Sequence, residues 1–412
     1  MSTGRKLRTL LFSTLYPSSV RPTHGIFVET RLRELLASGE VETRVVAPVP
    51  WFPSRDPRFG DRARMAATPH AETYNGIEVL HPRYLLAPKV GMTTAPLTLA
   101  LGARASVAKL LADGYDFDVI DAHYYYPDGI AAALLARWFN KPLVITARGT
   151  DLNLIPQYAL PRRMIRWAAG QAQGSIGVCG ALMDVLRDMG VPPARLHVMR
   201  NGVDLQRFRP VPQHEARAAL GLPADGRLVL SVGHLVERKG HHVAIDALKS
   251  LPADVSLCIV GEGEERQALE ARIAAAGLGG RAKLIGAVPN ARLYQWYSAA
   301  DVLVLASSRE GWANVLLESM ACGTPVVATR IWGTPEVVQD DVAGRLVAER
   351  EGAAFARTIE ALLLSGIDRP AVRRYAEGFS WEATTRAQLQ LFQDIAAGRK
   401  RATRQPLTGA TT

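Results

Sequence analysis

The chain alternates short, continuously apolar runs with longer stretches in which apolar residues recur at helical spacing. Continuous apolar runs are typical of strands buried on both faces, and the amphipathic stretches between them are typical of helices that cover such a sheet. In the first half the pattern predicts strands at 7–14, 43–48, 118–123, 142–147 and 175–179. The predicted helices are 26–37, 128–139 and 181–189. Segment 50–70 is rich in Pro and Arg and is predicted to be irregular.

The second half repeats this alternation after a break near 202–212. Its predicted strands are 227–232, 255–260, 283–285, 301–306 and 325–328, and its predicted helices are 241–251, 264–276, 291–298, 314–321 and 352–364. Alternating strands and helices indicate parallel sheets, so the sequence predicts an α/β chain with two Rossmann-like, doubly wound domains facing across a cleft. The expected parts are domains at 1–202 and 203–380, a helix at 381–397 that packs back on the first domain, and a disordered tail at 398–412.

The composition excludes several classes of protein. The chain has 412 residues, of which 48% are hydrophobic, and this excludes a wholly disordered chain. The longest apolar runs are shorter than the ~20 residues of a membrane span, and the N-terminal run predicts a strand rather than a signal peptide. Cys179, Cys258 and Cys322 stand far apart among apolar neighbours. We therefore expect buried thiols in a reducing compartment, with no disulfide framework and no metal site.

The formal net charge of +10 attracts anionic partners. Nucleic acid, nucleotide phosphates and an anionic membrane surface all fit that charge. The arginines are spread along the chain, however, and no zinc knuckle, RNP-type aromatic segment or base-reading basic helix is present in the sequence. We therefore expect no nucleic-acid partner.

Segment 307–328 carries the strongest chemical signal. Glu310 lies in the loop after a predicted strand, and Glu318 lies one to two turns into the next helix. The N–H groups at a helix start can bind phosphate, and a carboxylate on either side suits the hydroxyls of a sugar and a ribose. The alternative is that Glu310 is a surface charge and that Glu318 pairs with a nearby Arg. The residues at this helix start are Ala313, Asn314 and Val315.

This segment resembles the signature of retaining glycosyltransferases of family 4, which has Glu, seven residues and Glu, here followed by MACGTPVVAT and GTPEVV. Segments 118–136, 199–208 and 228–240 resemble the same family, and the resemblance spans roughly residues 7–395. It implies a GT-B fold, with the acceptor in the N-terminal domain and a nucleotide-sugar in the C-terminal domain. It also implies that Glu310 contacts hydroxyls of the donor sugar and that Glu318 contacts the ribose.

The segment that resembles the donor phosphate loop departs from the family pattern. The family usually has Gly-Arg-Leu before Lys-Gly, whereas this chain has His234 in place of that Arg and keeps Lys239. A leaving diphosphate requires positive charge opposite it. Lys239 supplies that charge, Arg238 is expected to compensate, and His234 contributes only when protonated. The alternative is that Lys239 and Arg238 belong to a solvated helix start.

A second departure lies at 146–151, TARGTD, where the family has Thr-x-His-Gly-x-Asp. Arg148 replaces the His that, in the family, lies near the donor sugar. Arg is no general base at neutral pH, but it can bind an anion through two parallel hydrogen bonds. We expect Arg148 to engage an anionic group on donor or acceptor, held in place by Asp151. The alternative is a structural Arg paired with Asp151.

Three further candidates lie in the N-terminal half. Gly25 matches the family's first glycine loop, where a glycine lets the backbone approach the diphosphate. His24, next to it, and His123, at the end of a predicted strand, are expected on the acceptor side together with Asp151. The alternatives are an ordinary loop histidine for His24 and a hydrogen-bonded structural histidine for His123.

The sequence thus predicts a metal-independent, retaining glycosyltransferase without a cofactor, acting in the synthesis of a cell-surface polysaccharide or a glycolipid. The expected catalytic residues are Glu310, Lys239 and Arg148. The expected donor-binding residues are Gly25, His234, Arg238, Ala313, Asn314, Val315 and Glu318. The rival hypotheses are a nucleotide-sugar epimerase of the same fold, a pyridoxal-dependent phosphorylase and a non-catalytic sugar-binding relative. The donor sugar, its base and the acceptor stay open.

The expected partners are a nucleotide-sugar donor and a carbohydrate or lipid-linked acceptor. Arg162, Arg163 and Arg166 alternate with apolar residues in PRRMIRWAAG. Basic charges near an anionic leaflet favour binding, so we predict peripheral contact with an anionic membrane. The expected location is therefore the cytoplasm, with contact at the cytosolic face of the plasma membrane. The alternative is a helix that packs Trp167 into the core and leaves its arginines solvated.

Overall fold

A computed structural model describes residues 5–87 and 91–404, with side chains described as far as residue 398. The chain divides into two compact units. The N-terminal unit comprises the residues up to 200 together with those from 382 onward, and the C-terminal unit comprises residues 201–381. Each unit is built on a mainly parallel sheet.

The strands of the N-terminal unit, within the described ranges, are β1 (Leu7–Phe12), β2 (Val41–Val46), β3 (Val49–Pro50), β4 (Ala71–Tyr74), β5 (Ile77–Leu80), β6 (Arg83–Tyr84), β7 (Val119–His123), β8 (Leu143–Ala147), β9 (Gly174–Gly177) and β10 (Leu196–Val198). The main sheet has the order β10-β9-β8-β7-β1-β2-β5-β4, and β3 pairs separately with β6. All neighbouring strands are parallel except β4 and β5, which form an antiparallel hairpin at one edge.

The helices of the same unit are α1 (Ile26–Ala37), α2 (Asp61–Ala67), α3 (Gly91–Ala112), α4 (Ile130–Trp138), α5 (Thr150–Asn153), α6 (Ala159–Gln171) and α7 (Gly180–Asp188). Helix α1 begins after Gly25, which has a φ of +70°. A Cβ at that position would lie 2.3 Å from the carbonyl group of Leu15, so the close approach of the two loops requires glycine. Val28, Leu32 and Leu35 then repeat at helical spacing and are buried.

The C-terminal unit contains, within the part described, β11 (Arg227–Val232), β12 (Val255–Val260), β13 (Ala282–Gly286), β14 (Val302–Leu305), β15 (Val326–Thr329) and β16 (Gly344–Val347). The helices are α8 (Gln213–Ala219), α9 (His241–Leu248), α10 (Arg266–Ala275), α11 (Leu293–Ala299), α12 (Asn314–Ala321), α13 (Thr334–Val337), α14 (Gly352–Leu364) and α15 (Arg369–Glu377). All neighbouring strands are parallel, in the order β13-β12-β11-β14-β15-β16. This is the strand order of Rossmann folds.

The strand orders place the expected binding sites. The direction of winding reverses between β1 and β7 in the N-terminal sheet and between β11 and β14 in the C-terminal sheet. Open α/β sheets bind ligands outside the carboxyl ends of their strands at such a reversal. The loops that follow β1, β7, β11 and β14 are therefore where chemistry is expected.

The last helix, α16 (Trp381–Arg404), returns to the N-terminal unit. Leu389 and Phe392 are buried in the same cluster as Leu35, Val119 and Ile176. The core of the N-terminal unit is thus completed by residues from the far end of the sequence.

Several predicted elements match the structure closely. The bounds of α1, β11, β12, α12 and α14 are those read from the apolar pattern, and the α/β class with two Rossmann-like units is confirmed. The three cysteines are free and buried, as predicted.

Other predictions are corrected by the structure. The segment expected to be irregular contains the last residue of β3 and the whole of α2, and the helix α3 and the β4–β5 hairpin were not predicted. By length and hydropathy, α3 is long enough to cross a membrane, although a third of its most apolar window is buried inside the unit. The expected tail begins too early, because α16 continues to Arg404. The remainder of that tail, 405–412, lies outside the described residues.

Candidate active site

The loop after β11 lies against the loop after β14, at the reversal point of the C-terminal sheet. Gly240 has a φ of +73°, and a Cβ there would lie 1.9 Å from the carbonyl oxygen of Ala306. Arg350 spans the same two loops, because its Nε donates to the Ala306 carbonyl at 2.7 Å and its guanidinium also donates to the Glu237 carbonyl at 2.7 Å. The two loops are therefore fixed relative to each other.

This contact brings Lys239 and Glu310 together. Lys239 Nζ lies 2.5 Å from Glu310 Oε1, and Ser307 Oγ donates to the same oxygen at 2.8 Å. Arg238 contributes a second cation 3.9 Å away. Only 8% of the Glu310 side chain is exposed. The alternative reading of Glu310 as a surface charge is therefore wrong, because the carboxylate is buried in an ion pair.

Glu318 lies on α12 and is held by a tyrosine rather than by an arginine. Tyr297, on α11, donates its hydroxyl hydrogen to Glu318 Oε2 at 2.7 Å. Burial raises the pKa of Glu318 to about 7, although the hydrogen bond from Tyr297 and the positive charges of Arg207 and Lys239 oppose that rise. The carboxyl therefore changes charge near neutral pH.

The start of α12 is half-buried beside these carboxylates. Ala313 is the residue that precedes the helix, and Asn314 and Val315 form its first turn. Asn314 Oδ1 accepts from Asn201 Nδ2 at 3.2 Å. The helix start is therefore anchored by an asparagine of the segment that resembles the family at 199–208, and helix N-termini favour anions.

His234 is exposed, and its predicted contact with the donor stays a prediction. Its carbonyl oxygen lies 3.2 Å from His241 Nε2, whose other ring nitrogen lies 2.9 Å from Ser231 Oγ. Burial lowers the pKa of His241 to about 4, so this imidazole is neutral and supports the loop backbone.

In the N-terminal unit, Arg148 meets His123 at the ends of β8 and β7. A guanidinium nitrogen of Arg148 lies 2.6 Å from His123 Nδ1, and the guanidinium carbon lies 5.5 Å from the centroid of the Phe27 ring. His123 Nε2 lies 3.2 Å from Asp121 Oδ2. Burial lowers the pKa of His123 to about 4 and that of Arg148 to about 9. Arg148 is therefore charged at neutral pH and His123 is neutral, with Nδ1 as the acceptor.

Asp151 does not hold Arg148 in the predicted way. Its carboxylate accepts from the backbone N–H of Arg148 at 3.1 Å, of Gly149 at 2.7 Å and of Tyr125 at 2.8 Å. Asp151 is fully buried, and burial raises its pKa. It fixes the turn after β8, whereas His123 holds the guanidinium. Both residues were predicted on the acceptor side; they are buried beside Arg148, and their contact with an acceptor stays a prediction.

His24 lines a polar cavity of about 200 Å³ beside the ends of β1 and β2. Its Nε2 lies 3.0 Å from the Thr14 carbonyl oxygen, and its Nδ1 lies 3.0 Å from a guanidinium nitrogen of Arg21. Burial and the Arg21 charge lower the pKa of His24. The close packing of Gly25 against Leu15 is a structural reason for a glycine at this position. The predicted contact of Gly25 with the donor stays a prediction.

Four supporting residues were missed by the sequence analysis. Ser307 lies within the segment singled out, so its position next to Glu310 could have been found. Asn201 lies in segment 199–208, which resembles the family, so its contact with α12 could also have been found. Tyr297 and Arg350 reach the site from separate elements, and no local pattern connects them to it.

The described residues contain no group of three or more His, Cys, Asp or Glu placed to hold a metal ion.

The basic segment on α6 has Arg162, Arg163 and Arg166 exposed and Trp167 half-buried, with Ile165 in the core. The charged face that the membrane prediction requires is therefore accessible.

Two family models match the chain. "Glycosyltransferase Family 4" matches residues 28–207, and "Glycosyl transferases group 1" matches residues 212–379. The two matches correspond to the two units and cover most of the chain.

Curated relatives match over most of their length. The chain is 31% identical to a putative teichuronic acid biosynthesis glycosyltransferase, TuaC, of Bacillus subtilis, over 79% of this chain and 82% of that one. It is also 31% identical to a D-inositol 3-phosphate glycosyltransferase of Frankia alni, over 90% of this chain and 93% of that one.

Solved structures share the whole architecture. A sucrose-phosphate synthase from Thermosynechococcus elongatus superposes with a TM-score of 0.77 at 23% identity, covering 96% of this chain and 100% of that one. Alr3699/HepE of Anabaena in complex with UDP-glucose superposes with a TM-score of 0.65 at 19% identity, with the same coverage. These likenesses concern the fold.

Proposed function

Because the chain belongs to glycosyltransferase family 4 and has the GT-B fold, we propose that it transfers a sugar from a nucleotide-sugar to an acceptor hydroxyl with retention of the anomeric configuration. The observation that carries this proposal is the Lys239–Glu310 pair at the reversal point of the C-terminal sheet. It combines a cation for a leaving diphosphate with a fixed carboxylate for sugar hydroxyls.

In the proposed reaction the bond between the anomeric carbon and the diphosphate oxygen breaks, and the electron pair stays on the phosphate. Lys239, Arg238 and the start of α12 stabilise that developing charge. Glu310 Oε1 is held by Lys239 and Ser307, so Oε2 is the oxygen that would accept from hydroxyls of the donor sugar. Glu318 would accept from the ribose.

The acceptor oxygen then forms the new bond on the face that the diphosphate leaves, and its proton passes to the leaving phosphate oxygen. This route needs no side-chain base, in agreement with Arg148 at the position where the family usually has His. In this proposal, Lys239 and Arg238 supply the positive charge that a metal ion would otherwise bring to the diphosphate. We therefore propose that turnover persists after chelation with EDTA.

The test is a screen of nucleotide-sugars, beginning with uridine diphosphate sugars because a fold relative was solved with UDP-glucose. Product anomers are read by NMR. Glu310→Gln should lower turnover at least tenfold while nucleotide binding persists, and inverted product or undiminished turnover would contradict the proposal. Product formed without any acceptor would instead favour an epimerase, and donor binding without turnover would favour a sugar-binding protein.

The names of two relatives suggest a product class. One relative is named for teichuronic acid biosynthesis and the other for D-inositol 3-phosphate, and both names describe anionic carbohydrates. We propose that this chain likewise acts on an anionic acceptor in the synthesis of a cell-surface polysaccharide or glycolipid. A guanidinium at Arg148 would suit such a substrate.

We also propose a cytoplasmic enzyme that contacts anionic membranes through the exposed arginines of α6. Each basic residue near an anionic leaflet contributes about 1 kcal/mol. Sedimentation with anionic vesicles at low salt should pellet the protein, and high salt should release it. Failure to pellet at low salt would remove this proposal and leave the transferase proposal intact.

A further inference from the structure

An exposed apolar groove of about 690 Å³ lies beside the N-terminal sheet. It is lined by residues just after β3, by residues 85–87 just after β6, and by the start of α3. Its most exposed members are Trp51, Leu85, Leu86 and Met92, each with about half or more of its surface accessible. Clustered apolar side chains of this size mark interaction sites on soluble proteins.

The walls of the groove are held by hydrogen bonds. The Trp51 N–H donates to the Tyr84 carbonyl at 2.7 Å, which continues the pairing of β3 with β6. Thr98, on α3, donates its hydroxyl hydrogen to the Leu85 carbonyl at 2.6 Å. The apolar side chains are therefore presented by fixed backbone.

The groove adjoins the polar cavity that contains His24, because Pro50 and Met65 line both spaces. Ser18 and Thr68 also line that cavity, so hydroxyl-bearing side chains border the space next to the groove.

The charges along both spaces have one sign. Arg21 lines the polar cavity and Arg62 lines the groove, and among the described lining residues there is no carboxylate. The Arg62 guanidinium carbon lies 6.0 Å from the centroid of the Phe52 ring, so the cation borders the apolar surface. An occupant that matches both spaces carries an anionic head and an apolar chain.

We infer that the acceptor is a lipid with an anionic, hydroxyl-bearing head in the polar cavity and its hydrocarbon chain in the groove. The inference rests on the proposed transferase function and names its acceptor class. It adds a second contact with the membrane phase to the one proposed for α6, and the two are separable by mutation.

The probes are n-hexyl, n-octyl and n-decyl phosphate, kept below their critical micelle concentrations, with inorganic phosphate and n-octanol as references. Binding is measured by calorimetry and by the fluorescence of Trp51, with Trp51→Phe as the blank. Burial of each methylene group is worth roughly fourfold in affinity, so two methylenes should tighten binding roughly fifteenfold. Inorganic phosphate alone should bind far more weakly than n-octyl phosphate. Affinity that does not depend on chain length would overturn the inference.

The decisive variant is Leu86→Glu, and its matched control is Leu364→Glu. Leu364 is 73% exposed on α14 of the other unit. Leu86→Glu should weaken n-decyl phosphate binding at least tenfold, whereas Leu364→Glu should leave it unchanged. Arg21→Gln should remove the preference for n-octyl phosphate over n-octanol. Equal effects of the two Leu variants would overturn the groove assignment.

Two parallel measurements keep the outcomes distinct. Nucleotide-sugar binding reports on the C-terminal unit and should be the same in wild type and both Leu variants. Probe binding without sugar transfer would refute the transferase and leave the lipid site standing. Sedimentation velocity tests a second copy as occupant, and a dimer that Leu86→Glu dissociates without changing probe affinity would overturn the inference.

Discussion

At the scale of single residues, the Lys239 ammonium is held in place before any donor binds. Its contact with Glu310 is 2.5 Å long and 13% of its side chain is exposed. A fixed cation stabilises developing negative charge without reorganising when the bond breaks. In the proposed mechanism, positioning by Glu310 would therefore be part of how Lys239 stabilises the leaving diphosphate.

We expect Lys239→Ala to lower kcat roughly 100- to 1,000-fold, by analogy with the loss of an oxyanion-stabilising donor. The matched control is Lys249→Ala, because Lys249 is also paired, with Asp246 at 2.6 Å, but is half-exposed on the same unit. Steady-state kinetics should separate the two variants, with thermal melting as the check on folding. Wild-type kcat and donor affinity in Lys239→Ala would refute the phosphate assignment.

Arg148 differs from Lys239 in being held by a neutral partner. We expect Arg148→Lys to lose at least tenfold in kcat/KM, because an ammonium cannot both reach His123 and present a planar, two-pronged donor to an anion. Arg148→His should not restore activity, since it removes the permanent charge.

Steady-state kinetics on the identified substrates would check both Arg148 variants. Full activity of Arg148→His would refute anion recognition at this position. Full activity of Arg148→Lys would mean that charge alone is sufficient.

At the scale of elements, α12 carries a carboxyl group whose charge depends on the neighbouring helix α11. Below pH 7 Glu318 is protonated and above pH 7 it is ionised, because burial raises its pKa to about 7. In the proposed donor complex, only the ionised form can accept hydrogen bonds from ribose hydroxyls through both carboxylate oxygens. Affinity for a nucleotide-sugar, whose phosphodiesters do not titrate here, should therefore fall up to about tenfold between pH 8 and pH 6.

Two variants test whether Glu318 causes this pH dependence of affinity. Glu318→Gln should bind with an affinity that is flat over this range. Tyr297→Phe removes the hydrogen bond that lowers the pKa of Glu318, so the transition should move to higher pH. Calorimetric titration at several pH values measures the nucleotide-sugar affinity of both variants. If the pH at which affinity changes is the same in Tyr297→Phe as in the wild type, Glu318 is excluded as the group that titrates.

The elements that the sequence predicted well are those whose signals are local. Helix α12 follows a buried strand and a glycine-containing loop, and its start was placed correctly. Helix α3 was missed because Pro96 and Gly102 interrupt its apolar pattern, yet the tertiary structure accommodates both. The hairpin β4–β5 alternates buried or half-buried with exposed residues, unlike the continuous apolar runs of the parallel strands.

The site residues likewise divide into those that a local motif identified and those whose contacts depend on tertiary packing. Glu310, Lys239 and Arg238 were brought together by motif resemblance and are neighbours in the structure. The pairing of Glu318 with Tyr297 and of Arg148 with His123 depends on how strands and helices stack, which no local pattern specifies. The contact of Asp151 with the backbone N–H groups of Arg148 and Gly149, three and two residues before it, is likewise a feature of the turn after β8 that the sequence pattern did not specify.

At the scale of the whole molecule, a buried polar network ties α16 to the N-terminal unit. Gln388 Oε1 accepts from Arg31 Nε at 2.8 Å, and its Nε2 donates to Asp121 Oδ2 at 3.2 Å. Asp121 in turn accepts from His123, which holds Arg148. The far end of the sequence therefore supports the residue that orients the guanidinium.

We expect Gln388→Leu to lower the free energy of unfolding by roughly 2–3 kcal/mol, because Arg31 and Asp121 both lose a buried partner. The matched control is Gln390→Leu on the same helix, where the glutamine is exposed and bonds only to a neighbouring Asp394 at 2.9 Å among the contacts described. That change should stay within about 0.5 kcal/mol. Urea unfolding measures both, and equal losses would show that the network does not stabilise the unit.

Because α16 packs on the N-terminal unit, the order in which the two units can finish folding on the ribosome differs from the order in which they begin to be synthesised. Domains of a nascent chain generally fold from the N-terminus onward. Here the first unit to emerge has no Gln388 to receive the buried Arg31 guanidinium and no Phe392 to fill its core until the second unit has been translated. The C-terminal unit, whose sheet is continuous in sequence, can therefore be native while the earlier-synthesised unit is still incomplete. Translation that stops anywhere before α16 would leave the N-terminal unit unfinished, and because we propose that the acceptor binds there, partial chains are poor candidates for untimely sugar transfer.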